Sequence, residues 1–357
     1  MHINELLELV VNENASDLHI SVGNPPIIRL HGDLVRLEEP VLQPEDTEKI
    51  MKEITPERYQ VIFKERTSAD FGISFGDKAR FRVNIYRQKG HVGIALRLIP
   101  SRILSFEEIG LSLSVKDLLF RPRGLILITG PTGSGKTTTL ASMIDIVNKE
   151  RRCHIITVED PIEYYHSHKS SIVTQRELGV DTPTFSESLV KALRQDPDVI
   201  LVGEMRDLET MKAALAASET GHLVLATLHT TGAANTVDRI IDAFPSDEQE
   251  QIRILLSTTL LAVVSQTLIP HLSGKGRIAA FEIMISTPSI QNLIRDNKTF
   301  RITSDIQTGA KFGMKTLDTS LYDLFVREEI SYGDLLTKAQ DPDHLIMKIK
   351  DEGIKKK

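Results

Sequence analysis

The sequence predicts an α/β protein, with a mainly parallel sheet covered by helices and a smaller α+β domain ahead of it. Three observations lead to this fold class. Strand-like and helix-like patterns alternate from about residue 116 onward, which is typical of parallel strands joined by crossover helices. The stretch Gly130–Thr137 fits G-x-x-x-x-G-K-[ST] and lies between an apolar run and a helical stripe. Residues 1–100 instead show short alternating strands and turn residues.

Composition limits the possible functions. The chain has 357 residues, 41% of them apolar and 26% charged, which is ordinary for a globular protein of about two or three domains. Its net charge of −6 argues against a general nucleic-acid binder. Cys153 is the only cysteine, so intrachain disulfides and cysteine-rich zinc sites are excluded and a reducing compartment is indicated. Residues 254–269 are too short and too polar to cross a bilayer, so any membrane role is expected to be peripheral, through a partner.

The first domain is expected over residues 1–100, followed by a linker over 101–115 and a second domain over 116–357. The last residues, Lys355–Lys357, are expected to be disordered. The first domain should contain three helices and six short strands, the last two of which form a hairpin over Ala79–Tyr86 and His91–Ile99.

That hairpin carries an unusual charge. If it is centred between Gln88 and Lys89, Arg80 faces Arg97 and Arg82 lies diagonal to it. Like charges directly opposite each other destabilise a sheet, so an anionic group is expected on this face. It is either a set of nearby Asp and Glu side chains or the phosphate tail of a nucleotide held by the other domain.

The second domain begins with the apolar run Leu125–Thr129, the glycine-rich turn and the helix Thr137–Asn148. Backbone N–H groups at the positive end of a helix form an anion cradle, so this turn predicts phosphate binding. Lys136 would reach the β- and γ-phosphates, and the Thr137 hydroxyl would ligate Mg²⁺. The predicted nucleotide-binding residues are Gly130, Pro131, Thr132, Gly133, Ser134, Gly135, Lys136, Thr137 and Thr138.

Further elements complete the alternation. Strands are expected at His154–Val158, Val199–Val202 and Leu223–Leu228, with helices at Ser186–Arg194, Asp207–Ser218 and Ala233–Phe244. Ser246 to Gln249 fits a capping box that would open the next helix. Val263–Ile269 and Arg277–Met284 should form a hairpin at the sheet's edge, and the remainder should be mostly helical.

Ligands of open α/β sheets bind beyond the carboxyl ends of the strands, where this chain places acids. Glu159, Asp160 and Glu163 follow one strand; they could hold Mg²⁺ through water and position the attacking water, or form an acidic solvated loop.

Four apolar residues, Val199–Val202, are followed by the acid Glu204, which is the pattern of a Walker B strand. We expect this strand to lie beside the phosphate-loop strand. We expect Glu204 to orient and activate water; the alternative is a cap for the helix at Asp207. His229 follows the next strand as a γ-phosphate sensor or as a structural histidine.

Taken together, these motifs resemble those of the secretion ATPases of type II and type IV pilus systems, and most of all the retraction motors of type IV pili. They are a Walker A at Gly130–Thr137, an acidic box at Ile156–Tyr165, a Walker B at Asp198–Asp207 and a histidine box at His222–Arg239. Ser289–Asp296 is similar to a motif of retraction motors, with three altered residues. The four-cysteine zinc site and longer N-terminal region usual in extension motors are missing.

The resemblance implies a PAS-like N-terminal domain, a RecA-like ATPase domain and a homohexamer in which Arg82 and Arg97 approach the nucleotide. It also implies a Mg²⁺-dependent ATPase that drives pilus retraction and twitching motility from the cytoplasmic face of the inner membrane, together with an inner-membrane platform protein. The alternatives are a pilus extension or type II secretion motor, a nucleic-acid translocase, and a scaffold that binds ATP without hydrolysing it. No direct nucleic-acid partner is expected.

Overall fold

The computed structural model describes residues 2–30, 32–76, 79–99, 102–274 and 276–353. The predicted disorder of Lys355–Lys357 lies outside these residues. Two compact units result: one comprises the residues up to Arg102 together with Pro161–Tyr165, and the other comprises Ile103–Asp160 with the residues from His166 onward. No described helix has both the length and the apolar character needed to cross a membrane.

The smaller unit is an antiparallel sheet flanked by helices. Its helices are α1 (Ile3–Asn12), α2 (Pro44–Ile54) and α3 (Glu57–Arg66). Its strands are β1 (Asp17–Ser21), β2 (Ile27–Leu30), β3 (Asp33–Arg36), β4 (Ser68–Phe75), β5 (Ala79–Gln88) and β6 (His91–Ile99), in the spatial order β3-β2-β1-β6-β5-β4. Alternate residues of β5 and β6 are fully buried, among them Phe81, Val83 and Leu96, so one face of the sheet packs on the core.

The hairpin β5–β6 differs in register from the sequence prediction. Its two turn residues are Lys89 and Gly90, both with positive φ (50° and 83°), the backbone geometry that a tight two-residue hairpin turn requires. Arg82 therefore faces Arg97, and Arg80 faces Ile99. The centre of the hairpin turn was predicted one residue too early in the sequence. The residue opposite each position of β5 is therefore two positions further along β6 than predicted, and all three arginines still lie on the same face of the sheet.

The larger unit contains a seven-stranded sheet with helices on both faces. Its strands are β7 (Gly124–Thr129), β8 (His154–Glu159), β9 (Ile172–Glu177), β10 (Val199–Val202), β11 (Leu223–Leu228), β12 (Leu260–Pro270) and β13 (Arg277–Ile285). The order is β13-β12-β7-β11-β10-β8-β9, parallel except for β12 against β13. Every residue of β7, β10 and β11 is buried, as expected of parallel strands covered on both sides.

The helices of this unit enclose the sheet. They are α4 (Phe106–Ile109), α5 (Leu113–Leu118), α6 (Lys136–Glu150), α7 (Phe185–Ala192), α8 (Leu208–Glu219), α9 (Ala233–Asp242), α10 (Gln249–Thr259), α11 (Pro288–Arg295), α12 (Ile302–Thr308), α13 (Leu317–Val326), α14 (Tyr332–Lys338) and α15 (Pro342–Asp351). Helices α4 to α6 pack on one face, and α7 to α12 pack on the other. The stretch expected to be a linker, 101–115, thus contains α4 and the start of α5.

Two sequence expectations about this unit are wrong, and one strand was not predicted. Strand β11 lies between β7 and β10, so the Walker B strand does not neighbour the phosphate-loop strand. Helix α10 begins at Gln249 without a capping box, because the backbone N–H of Glu248 bonds Pro245 in a turn and no side chain caps the helix. Strand β9, at the edge of the sheet, was not foreseen. The predicted edge hairpin is confirmed as β12 and β13.

Candidate nucleotide site

The phosphate loop connects β7 to α6, and two of its glycines are required by close packing. Gly130 and Gly135 have φ values of 139° and 90°, a region that other residues rarely adopt. A Cβ at Gly135 would lie 2.7 Å from the side-chain nitrogen of Gln266. A Cβ at Gly130 would collide with the main-chain oxygen of Gln266. The glycines thus let the loop lie directly against β12.

The loop opens onto the N-terminus of α6. No side chain caps this helix at Gly135, and the first N–H groups of a helix have no intrahelical acceptor. The first three helical residues are Lys136, Thr137 and Thr138. A helix of 15 residues contributes a partial positive charge at this point, which is the arrangement expected of an anion cradle.

Lys136 is folded under the loop. Its Nζ donates hydrogen bonds to the carbonyl oxygens of Gly130 (2.8 Å) and Pro131 (3.0 Å). Burial lowers the pKa of Lys136, and the negative charge of Glu204 partly offsets that effect. A phosphate oxygen would compete with these carbonyls for the ammonium group.

A buried hydroxyl supports phosphate binding at the same place. Ser134 is 2% exposed, and its Oγ has no hydrogen-bond partner among the described residues. A buried polar atom without a partner costs about 1–3 kcal/mol. The loop therefore contains a donor that an anion in the cradle could satisfy.

Glu204, two residues after the end of β10, is the central carboxylate of the site. Its Oε2 lies 2.8 Å from Arg206 Nη2, and its Oε1 lies 3.0 Å from His229 Nε2. Burial raises the pKa of Glu204, but Arg206 and His229 together lower it overall. The side chain is therefore ionised at neutral pH. The alternative role of Glu204 was to cap the following helix. Asp207 caps that helix instead, because its side chain accepts a hydrogen bond from the N–H of Thr210 (2.8 Å).

His229 connects this carboxylate with the phosphate loop. It follows β11, the strand between β7 and β10, and its Nδ1 lies 3.5 Å from Thr132 Oγ1. His229, at the end of β11, therefore contacts the phosphate loop after β7 through Thr132 and the acid after β10, Glu204. His222, at the other end of β11, instead bonds the carbonyl of Ala217 (3.0 Å) and is structural.

The three acids at the end of β8 and in the loop after it divide between the two units. Glu159 Oε1 accepts hydrogen bonds from Thr157 (2.6 Å) and Gln175 (3.2 Å) in the larger unit. Asp160 is exposed, and its charge contributes to raising the pKa of Arg206. Glu163 belongs to the smaller unit, 3.9 Å from Arg82 Nη1. Within the described ranges no group of three or more acidic, histidine or cysteine side chains is arranged to hold a metal ion.

The arginine face of the smaller unit has carboxylate neighbours. Arg82 pairs with Asp70 (2.8 Å), and Arg97 pairs with Asp17 (3.0 Å). Of the two anion sources predicted for this face, the local carboxylates are present. Arg97 nevertheless remains 71% exposed.

Two contacts of the site were not anticipated from the sequence. Arg206 pairs with Glu204, and Gln266 packs against the phosphate loop. A signal for Gln266 was available, because it is a polar residue inside the apolar run of β12, where a buried side chain needs a partner.

Comparison with known proteins identifies the family. The type II/IV secretion system protein family matches residues 1–292. The type IV pilus retraction ATPase PilT of Pseudomonas aeruginosa is 48% identical over 96% of this chain and 100% of that protein. The type IV pilus ATPase PilU of the same organism is 41% identical, over 98% of this chain and 92% of PilU.

A solved structure is also similar to this chain. The crystal structure of the pilus retraction motor PilT with bound ADP matches with a TM-score of 0.90 and 45% identity, over 97% of this chain and 99% of that one. The chain therefore belongs to the type II/IV secretion system protein family and is a P-loop ATPase with a RecA-like fold.

Proposed function

We propose that the chain is the ATPase motor of type IV pilus retraction, a homohexamer that couples hydrolysis to pilin disassembly and twitching motility. The observation that carries the proposal is the match of 48% identity that spans 96% of this chain and all of a retraction ATPase. The motor acts at the cytoplasmic face of the inner membrane, which it reaches through a platform protein.

Each group of the site has a proposed role. The loop N–H groups and Lys136 bind the nucleotide phosphates, Glu204 orients the attacking water, and His229 senses the γ-phosphate. The ionised state of Glu204 favours this assignment, because a carboxylate accepts a proton from water and the protonated acid does not. Glu163, Arg82 and Arg97 are proposed to contribute from the smaller unit of the same or another subunit.

Mg²⁺ is the proposed metal, since hydroxyl, carboxylate and water oxygens are the ligands that it prefers. Thr137, in the first turn of α6, would bind it directly, and Glu159 and Asp160 would hold it through water. When bound, the ion neutralises charge on the β- and γ-phosphates.

Lys136→Ala is expected to weaken ADP and ATP binding by about 10²-fold, because charge-assisted hydrogen bonds to phosphate are lost and each contributes roughly 1.5–3 kcal/mol. Titration with a fluorescent nucleotide measures the Kd. Lys149→Ala is the matched control, since Lys149 lies at the other end of α6 and its side chain is 57% exposed. Equal affinity in Lys136→Ala and wild type would rule out the assigned role.

Deletion of the gene is expected to leave cells with surplus pili that do not retract and do not support twitching, because assembly continues while disassembly stops. Electron microscopy and a twitching assay measure both effects, with the wild-type gene restored as the control. Cells without pili would instead indicate an extension motor, and unchanged pili and motility would contradict any role in retraction.

A further inference from the structure

Strand β12 contains two consecutive buried polar residues beside the end of β7. Ser265 and Gln266 are 8% and 4% exposed, and Ser265 pairs with Thr129, the last residue before the phosphate loop. Successive side chains of a strand point to opposite faces. The two residues can therefore serve different parts of the site.

Gln266 contacts both ends of the phosphate loop and the helix after it. Its Oε1 accepts a hydrogen bond of 2.7 Å from the hydroxyl of Thr139, which is fully buried in α6. As described above, its side-chain nitrogen packs at Gly135 and its main-chain oxygen packs at Gly130. One residue from a neighbouring strand thus fixes where the loop leaves β7 and where it enters α6.

Ser265 serves the loop that follows His229. Its Oγ accepts from the N–H of Gly232 (3.0 Å), and its cross-strand partner Glu282 accepts from the next N–H, that of Ala233 (2.6 Å). The middle of β12 therefore contacts the phosphate loop through Gln266 and the loop after His229 through Ser265.

We propose that Gln266 is a positioning residue for the phosphate loop, which it holds in the phosphate-receiving shape through Thr139 before a nucleotide arrives. The inference deepens the proposed function and rests on it. A preorganised loop binds phosphate without a further ordering cost, so the contribution of Gln266 is expected in nucleotide affinity. Gln266 itself does not act on the reacting atoms.

Thr139→Val tests the proposal with little change in volume, since it removes the hydroxyl and leaves the Gln266 amide oxygen without its donor. The Kd of ADP and the KM of ATP are expected to rise roughly 5- to 30-fold, the effect of losing one buried hydrogen bond and leaving its partner unsatisfied. The kcat at saturating ATP is expected to stay within about threefold, because bound phosphate itself orders the loop. Thr139→Ser keeps the hydroxyl and is expected to restore the affinity.

Gln266→Leu provides a second test from the other side of the same hydrogen bond. If the two residues act as one unit, the double variant Thr139→Val/Gln266→Leu should bind ADP with the same Kd as whichever single variant binds ADP less tightly. Independent, additive losses would contradict a shared role.

Thr259→Val is the matched control. The hydroxyl of Thr259 is also buried and donates to the carbonyl of Leu255 (2.9 Å), at the C-terminus of α10 and directly before β12. The substitution should therefore lower the Tm without changing the Kd. A Thr139→Val variant that loses Tm and keeps the wild-type Kd would overturn the proposal, because Thr139 and Gln266 would then only stabilise the fold. A wild-type protein that failed to bind or hydrolyse ATP would contradict the proposed function itself.

Discussion

Replacement of Glu204 by glutamine is expected to slow ATP hydrolysis by about 10² to 10⁴, the usual contribution of a positioned proton acceptor, while ATP still binds. Glutamine keeps the shape of the side chain and one acceptor oxygen, which can retain the contact with Arg206 (2.8 Å), while its NH₂ group takes the position that faces His229 (3.0 Å). It loses the negative charge that a water-orienting group needs. The change therefore tests the chemistry of the carboxylate rather than its packing.

Steady-state phosphate release and nucleotide Kd, measured on the same preparation, separate the two effects. Affinity for ATP is expected to be equal to or tighter than wild type, because a charge that repels the γ-phosphate is removed. Glu187→Gln is the matched control, an exposed carboxylate on α7 that pairs with Lys191. Full hydrolysis in Glu204→Gln would show that another group activates the water, and loss of ATP binding would point to a structural role.

Arg97→Ala is expected to reduce hydrolysis by about 10³ to 10⁵, the range for an arginine that stabilises charge on a transferring γ-phosphate. Arg97 is 71% exposed in its pair with Asp17, so solvent screens the pair from the arginine side and we expect its contribution to stability to be small. Asp17 also keeps Ser16 and Arg29 within reach after the substitution, at 2.8 and 3.8 Å. The fold is therefore expected to persist, so lost activity would report on the nucleotide.

Arg29→Ala is a suitable control, because it removes another arginine beside the same carboxylate. It should leave hydrolysis within about twofold, as a surface pair would. Arg97→Lys keeps the charge without the planar fork and is expected to recover only part of the rate. If Arg97→Ala hydrolyses ATP at the wild-type rate with only a lower Tm, the arginine serves to neutralise Asp17, the local alternative that the sequence left open.

The same measurement on Arg82→Ala ranks the two arginines. Arg82 bonds Asp70 through Nε and Nη2 and also lies near Glu163. Arg97, in contrast, is 71% exposed. Release from two carboxylates costs more than release from one, so we expect the smaller loss of activity from Arg82→Ala.

The sequence alone was sufficient for features that depend on near neighbours in the chain. The glycines and Lys136 of the phosphate loop follow from local backbone chemistry. The buried strand β7 and helix α6 follow from the spacing of apolar residues. The position of Glu204 near the end of β10 could be predicted for the same reason, since it does not depend on the order of the strands.

The tertiary structure decided what those features contact. Strand β11 lies between β7 and β10, which brings His229 to both Thr132 and Glu204 and corrects the predicted adjacency. The turn at Lys89-Gly90 sets Arg82 opposite Arg97, and the acids after β8 divide between the two units. Gln266 meets Thr139 across 127 residues of chain. Strand order and side-chain partners depend on how distant segments pack, and local periodicity carries no information about that packing.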